Sequence, residues 1–220
     1  MSAPTKLRPS ASSIPRLAFA LFVLLMPASA SAAPQSAPQP GQPATLRSTQ
    51  TYRPITGKQR FIWFAKSTIG PQSLATGIFS ASIGTSINAP REYGISWEGF
   101  GKRYGMRLTG ISTENAMEVG LGALWGEDPR YLRVSDGSFG SRLKNTLKMT
   151  FLAPRPDGHL APAYARFLAI PGSNFLSNTW RVQSESSVGD AAVRTLLGFL
   201  GRMGSNAFVE FWPDVRKRVF

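Results

Sequence analysis

Between Ser187 and Phe211, Val193, Leu196, Leu197, Leu200, Met203, Ala207, Phe208 and Phe211 recur at three-and-four spacing. This spacing predicts a helix with one broad apolar stripe, buried against neighbours. Beside the stripe, Gly198, Gly201 and Ser205 keep the same spacing with almost no side chain, so a second backbone can approach there. Ser187 with Asp190 reads as a capping-box variant at the start, and Pro213 is expected to stop the helix after Phe211.

Earlier in the chain, positions 67–90 hold no charged residue. Phe79, Ile83 and Ile87 form one stripe there, and Ser73, Gly77, Ala81 and Thr85 form a small-residue ridge at four-residue spacing. Scattered Ser, Thr, Gln and Asn lower the hydropathy, which favours a buried helix of a tight bundle over a membrane span. The segment from Glu92 to Arg107 mixes aromatic, glycine and basic residues, with Trp97, Phe100 and Tyr104 at helical spacing. It is no phosphate-binding P-loop, since Arg103 follows Gly101-Lys102 and Ser96 stands where the first glycine belongs. Glycines 94, 99, 101 and 105 are expected to sit under neighbouring helices.

Ser112 or Thr113 can cap a further helix carrying Met117, Leu121 and Leu124, broken at Gly126. Ser138 opens another, with Phe139, Leu143, Leu147 and Phe151 four apart and Pro154 and Pro156 beyond its end. A shorter helix is expected from Ala161 to Ile170, with Pro162 in its first turn, and Ser173 to Gln183 is an unassigned connector. Roughly six or seven helices without period-two alternation predict an all-α bundle, close-packed through small residues.

The N-terminal part does not belong to that bundle. Lys6, Arg8 and Arg16 precede a short apolar run, Leu17 to Met26, followed by Pro27 and the small residues 28–32. This is the layout of a cleaved secretory signal peptide over 1–32. Residues 33–56 are rich in Pro, Ala and Gln and read as a linker, so the helical domain spans 57–220. At its start Phe61, Ile62, Trp63 and Phe64 lie among Lys58, Arg60 and Lys66, as in a helix resting on a surface.

Charge then changes the picture of the partner. The chain carries 25 Lys+Arg against 12 Asp+Glu, and without the three leader cations 22 face 12, a net +10. In an exported protein this favours an anionic membrane or envelope surface over nucleic acid. Lys102, Arg103, Arg107, Arg216, Lys217 and Arg218, with Trp212 and Phe220 inserting, are the expected contact residues. A fold-back of Trp212 and Phe220 onto the bundle is the other reading of the tail. Gly77, Ala81, Gly198 and Gly201 are candidates for self-association. A terminal Phe also raises a β-barrel, which the lack of repeated alternating segments opposes.

Catalytic chemistry has few carriers. With no Cys and one His, His159, no metal site and no cofactor are expected. A hydrolase would have to draw on Glu127, Asp128, Arg130 and His159, and requires all four in one cleft. The plainer reading is a helix-ending turn in which Arg130 neutralises an adjacent carboxylate.

Three stretches act as markers: Trp97 to Gly105, Glu127 to Tyr131 and Glu210 to Val215. Through them the chain resembles a group of exported bacterial proteins with no established activity. The resemblance implies export and carries no function. It departs from the group at Gly126, where a basic or aromatic residue, often His, is expected. The expectation overall is a non-catalytic envelope protein that associates with a membrane surface or with itself, with an integral helical bundle as a further alternative.

Overall fold

The structure, a computed structural model, describes residues 52–134 and 137–219. The predicted leader, residues 33–51 of the linker and Phe220 lie outside the described residues. Among the described residues six α-helices run in order: α1 (Gly57–Ile69), α2 (Pro71–Ser86), α3 (Trp97–Trp125), α4 (Phe139–Phe151), α5 (Tyr164–Leu176) and α6 (Val188–Val219). Strands β1 (Leu152–Pro154) and β2 (Leu160–Pro162) form one short antiparallel pair with Ala153 opposite Ala161. The fold is all-α. Helix α3 packs against α1, α2 and α5, while α6 packs against α4 and α5.

Local chemistry sets the helix ends. Thr56 and Gln59 make a capping box on α1, Ser96 caps α3 and Ser138 caps α4. Ser187 Oγ accepts from Asp190 N, and the Asp190 carboxylate accepts from Ser187 N, as the sequence predicts. Gly126 ends α3 in the left-handed conformation, φ 70°, which glycine adopts without steric cost.

Several expected boundaries move. The uncharged segment 67–90 is not one helix. Gly70 is extended, and Pro71, which has no N–H to continue the ladder, starts α2 at its first turn. Ser112 and Thr113 cap nothing: their hydroxyls donate to the carbonyls of Leu108 and Thr109 inside the continuous α3. Pro162 lies in β2, and α5 begins at Tyr164 and runs through Pro171, taking in the start of the unassigned connector. Pro213 does not stop α6, which continues to Val219.

The largest correction concerns which face is inside. The apolar stripe of α6 faces outward, with Leu196 66% exposed and Val193, Leu197, Leu200 and Phe208 also exposed. The inward positions of this helix are Ala191, Asn206 and Glu210. Helix α4 repeats the inversion: Phe139, Leu143, Leu147 and Phe151 are exposed, while Thr146, Met149 and Thr150 are buried. On α2, Ile78, Phe79 and Ile83, with Ile87 at its C-cap, are exposed around buried Gly77 and Ala81. Small and polar side chains make the helix contacts, and hydrogen bonds hold them. Asn115 Nδ2 donates to Thr68 Oγ1 between α3 and α1, and Asn206 Nδ2 donates to Thr150 Oγ1 between α6 and α4.

Glycine has two distinct roles here. A Cβ on Gly77 would stand 2.8 Å from the Tyr104 ring, and one on Gly198 would stand 2.8 Å from Ile170 Cγ2. These positions are therefore contacts within the chain, as is buried Ala81, and not a self-association surface. Gly94, Gly101, Gly105 and Gly201 have open space where a Cβ would stand, so the expectation that 94, 101 and 105 lie under neighbouring helices does not hold. Of the four self-association candidates, Gly201 alone faces outward.

Candidate functional site

Charged groups are concentrated inside the bundle. Glu118 of α3, 2% exposed, accepts from Arg166 Nε of α5 at 2.9 Å and pairs with Arg202 of α6. Arg166 Nη1 also donates to the carbonyls of Met149 and Thr150, capping the last turn of α4. One arginine thus joins three helices. Burial pushes the Arg166 guanidinium down to about 10, against the charges of Glu127 and Glu114, and it stays protonated at neutral pH.

The acidic pair has structural partners. Glu127 accepts from the backbone N–H groups of Tyr164 and Ala165, capping α5 where Ala163 offers no side-chain cap. Arg155 pairs with the same carboxylate at 3.3 Å. Asp128 accepts from Arg130 and from the Tyr52 hydroxyl, and Arg130 Nη2 donates to Arg53 O. Burial and the bond to Asp128 raise Tyr52 to about 12. Residues 52–53, read from sequence as the end of the linker, are thereby pinned to the loop after α3. His159 is exposed in the loop between β1 and β2, and its N–H donates to Asp157 Oδ1. The crevice beside Glu127 and Asp128 is lined by Glu118 and Gly122 but by neither Arg130 nor His159. The four residues that a hydrolase would need do not share a cleft.

The tail is held by a second clasp. Glu210, 0% exposed, accepts from Tyr131 Oη at 2.6 Å, from Val134 N and from Arg142 Nε at 2.9 Å. Asp214 pairs with Arg142 at 2.5 Å and Arg133 at 3.6 Å. The Glu210 carbonyl accepts from both Arg133 and Arg142. These bonds span Pro213, which lacks the N–H for its own helical bond. Burial and Glu210 raise Tyr131 to about 12. Two of the marker stretches therefore meet, Tyr131 against Glu210.

The third marker opens onto a different environment. A cleft of about 390 Å³ lies between α2, α3, α5 and α6, with Arg103, Arg107, Arg181 and Arg194 on its walls and the carboxylates Glu114 and Glu185 among them. Arg103 is not a surface residue. It is buried and donates to the carbonyls of Ala89, Pro90 and Gly94 at 2.6–2.8 Å, with Tyr93 against its face. Arg107 is likewise recessed, with Nη1 on Ser73 O. Arg181 pairs with Glu185 at 2.8 Å. Arg194 reaches Glu185 O, Asn174 O and Asn178 Oδ1, but its buried Nε has no hydrogen-bond partner among the described residues. Burial, together with the charge of Arg181, lowers the Arg194 pKa. Burial raises that of Glu114, which makes no hydrogen bond or ion pair among the described residues.

The remaining expected surface residues lie outside. Lys102 is exposed and pairs with Glu98 at 2.7 Å. Trp212 is 41% exposed and stacked on Phe208, and Arg216, Lys217 and Arg218 are exposed on the last turns of α6. The sequence reading passed over Glu114, Glu118, Arg166, Arg181, Arg194, Arg202 and Glu210. The available signal was position: Glu114 and Glu118 stand four apart, on one face of a helix otherwise rich in small residues.

No family model matches the chain, and neither the curated proteins nor the solved structures contain a match.

Proposed function

We propose that this is a non-catalytic, exported envelope protein whose helical bundle binds an anionic membrane surface through its outward apolar faces. One observation carries the reading: large apolar side chains point outward on all six described helices, while the interior is built of small residues, polar side chains and buried ion pairs. A water-soluble monomer rarely exposes apolar surface on this scale. Small residues at helix contacts with polar side chains between them are the arrangement that helices use in lipid, where burying apolar groups against each other brings no gain.

The distribution supports lipid ahead of a single protein partner. A dimer interface covers one face of a molecule, whereas Phe61, Phe79, Leu124, Phe139, Leu168 and Leu196 lie on six different helices. No described helix is long and apolar enough to cross a membrane. In the proposed placement the bundle lies in the interfacial layer, with Lys102, Arg216, Lys217 and Arg218 toward anionic headgroups and Trp212 at their level. The leader-like segment 1–32 supports export, and no nucleic acid partner or cofactor is part of the proposal.

Vesicle flotation tests it. The chain expressed without residues 1–32 should float with vesicles containing anionic lipid, and less with zwitterionic ones. Leu196→Glu and Phe139→Glu should each weaken flotation, and high salt should release part of the bound protein. Release by detergent alone would favour an integral bundle, and a homogeneous oligomer without lipid would favour self-association. A soluble monomer that ignores vesicles at low salt would defeat the proposal.

A further inference from the structure

We propose that the arginine-lined cleft between α2, α3, α5 and α6 is a binding site for a phosphate group, free or carried as a monoester. Four guanidiniums face two carboxylates there, which leaves a net charge of about +2 inside a recess of about 390 Å³. A phosphate carries a charge of up to about −2, which matches that excess, whereas a lone carboxylate leaves half of it uncompensated. Arg103 supplies charge at the wall, its Nε, Nη1 and Nη2 being already bonded to backbone carbonyls. Arg107 supplies the contacts, with donors beyond the one bond to Ser73 O. Arg194 adds charge at the wall, its Nη1 and Nη2 held by Glu185 O, Asn174 O and Asn178 Oδ1. Guanidinium forks match phosphate oxygens in geometry as well as in charge. Unpaired guanidinium in a recess is costly to the fold and is relieved when an anion enters.

The site stands apart from the membrane reading, because a soluble phosphate could fill it whether or not the apolar faces meet lipid. Two sources share the chemistry. One is soluble phosphate and the other a phospholipid headgroup, whose acyl chains would lie on the exposed apolar faces of α2 and α6.

The experiment is calorimetric titration of the full mature chain with inorganic phosphate, and separately with dihexanoyl phosphatidic acid below its micelle-forming concentration. At least one should bind saturably at one site per chain. Arg107→Gln and Arg194→Gln should each weaken that binding about tenfold. Glu114→Gln, which removes a negative charge from the wall, should strengthen it several-fold. Arg218→Gln, with the same loss of charge on the exposed tail, should leave it unchanged. Arg194→Gln also breaks bonds to Glu185, Asn174 and Asn178; if it does not fold, Arg107→Gln and Glu114→Gln carry the test. Equal binding of the two ligands assigns the cleft to soluble phosphate, and lipid binding tighter by tenfold or more assigns it to a headgroup. Absence of saturable binding of both up to about 10 mM overturns the proposal. So does an Arg218→Gln effect as large as that of Arg107→Gln.

Discussion

The two ends of α6 treat arginine in opposite ways. Near its C-terminus, Arg133 and Arg142 meet Glu210 and Asp214, so guanidinium and carboxylate match in number. Near its N-terminus, Arg194 faces a cleft where four guanidiniums meet two carboxylates and backbone carbonyls take up most of the slack. The matched end is a brace, in which both guanidiniums are committed to Glu210 and Asp214. The unmatched end keeps an excess of positive charge and leaves Arg107 with donors beyond its one hydrogen bond. Arginine burial alone therefore does not separate structure from function in this protein; the balance of partners does.

The sharpest way to break this comparison is to open the brace. Glu210→Ala strands Arg142, the Tyr131 hydroxyl and Val134 N–H at a fully buried position, and should cost about 3–5 kcal/mol in urea unfolding. Glu118→Ala, which leaves Arg166 and Arg202 facing each other, should cost a similar amount. A loss below about 1 kcal/mol in either would show that these carboxylates are not holding the helices together. Glu127→Ala removes the cap of α5 and should cost about 1–2 kcal/mol, read in the same assay. Arg107→Gln should change stability by less than about 1 kcal/mol, because among the described residues this side chain makes one hydrogen bond and no ion pair. A cost as large as that of Glu210→Ala would make the cleft a second brace.

The smallest effect is the pH dependence, and its sign differs between the two ends. The hydrogen bond from Arg142 holds the Asp214 carboxyl below its ordinary range. Its contribution is present above the usual carboxylate pKa and is lost as pH falls through the depressed value. Burial raises Glu114, so the folded chain binds that proton more tightly than the unfolded one. Its contribution is greatest when protonated and declines as pH rises through the raised value. In melting curves against pH, Asp214→Asn should flatten the acid limb, and Glu114→Gln should remove the decline on the other side.

Much of the helix count was legible from spacing, because a 3.6-residue period survives whatever the helix packs against. The caps at Ser138 and Ser187 were legible for a similar reason, since each cap is completed within four residues. The sites were far less so. Arg103 and Arg107 sit among aromatic and glycine residues in a stretch that resembles a surface patch. Burial of Arg103 becomes evident only when the chain at 89–94 folds its carbonyls over the guanidinium. Tyr131 and Glu210 are 79 residues apart in the chain, and nothing local announces their bond.

What the chain determined by itself was periodicity: where helices run, where glycine permits close approach, and how charge is distributed along the sequence. What only the folded arrangement decided was the direction of each face. An amphipathic pattern specifies two unlike sides without saying which is inward, and water normally settles that by driving apolar groups together. Here small residues and ion pairs took the interior, through partners many turns away in sequence. Large apolar side chains on every described helix were left facing out, on the surface where the proposed function places lipid.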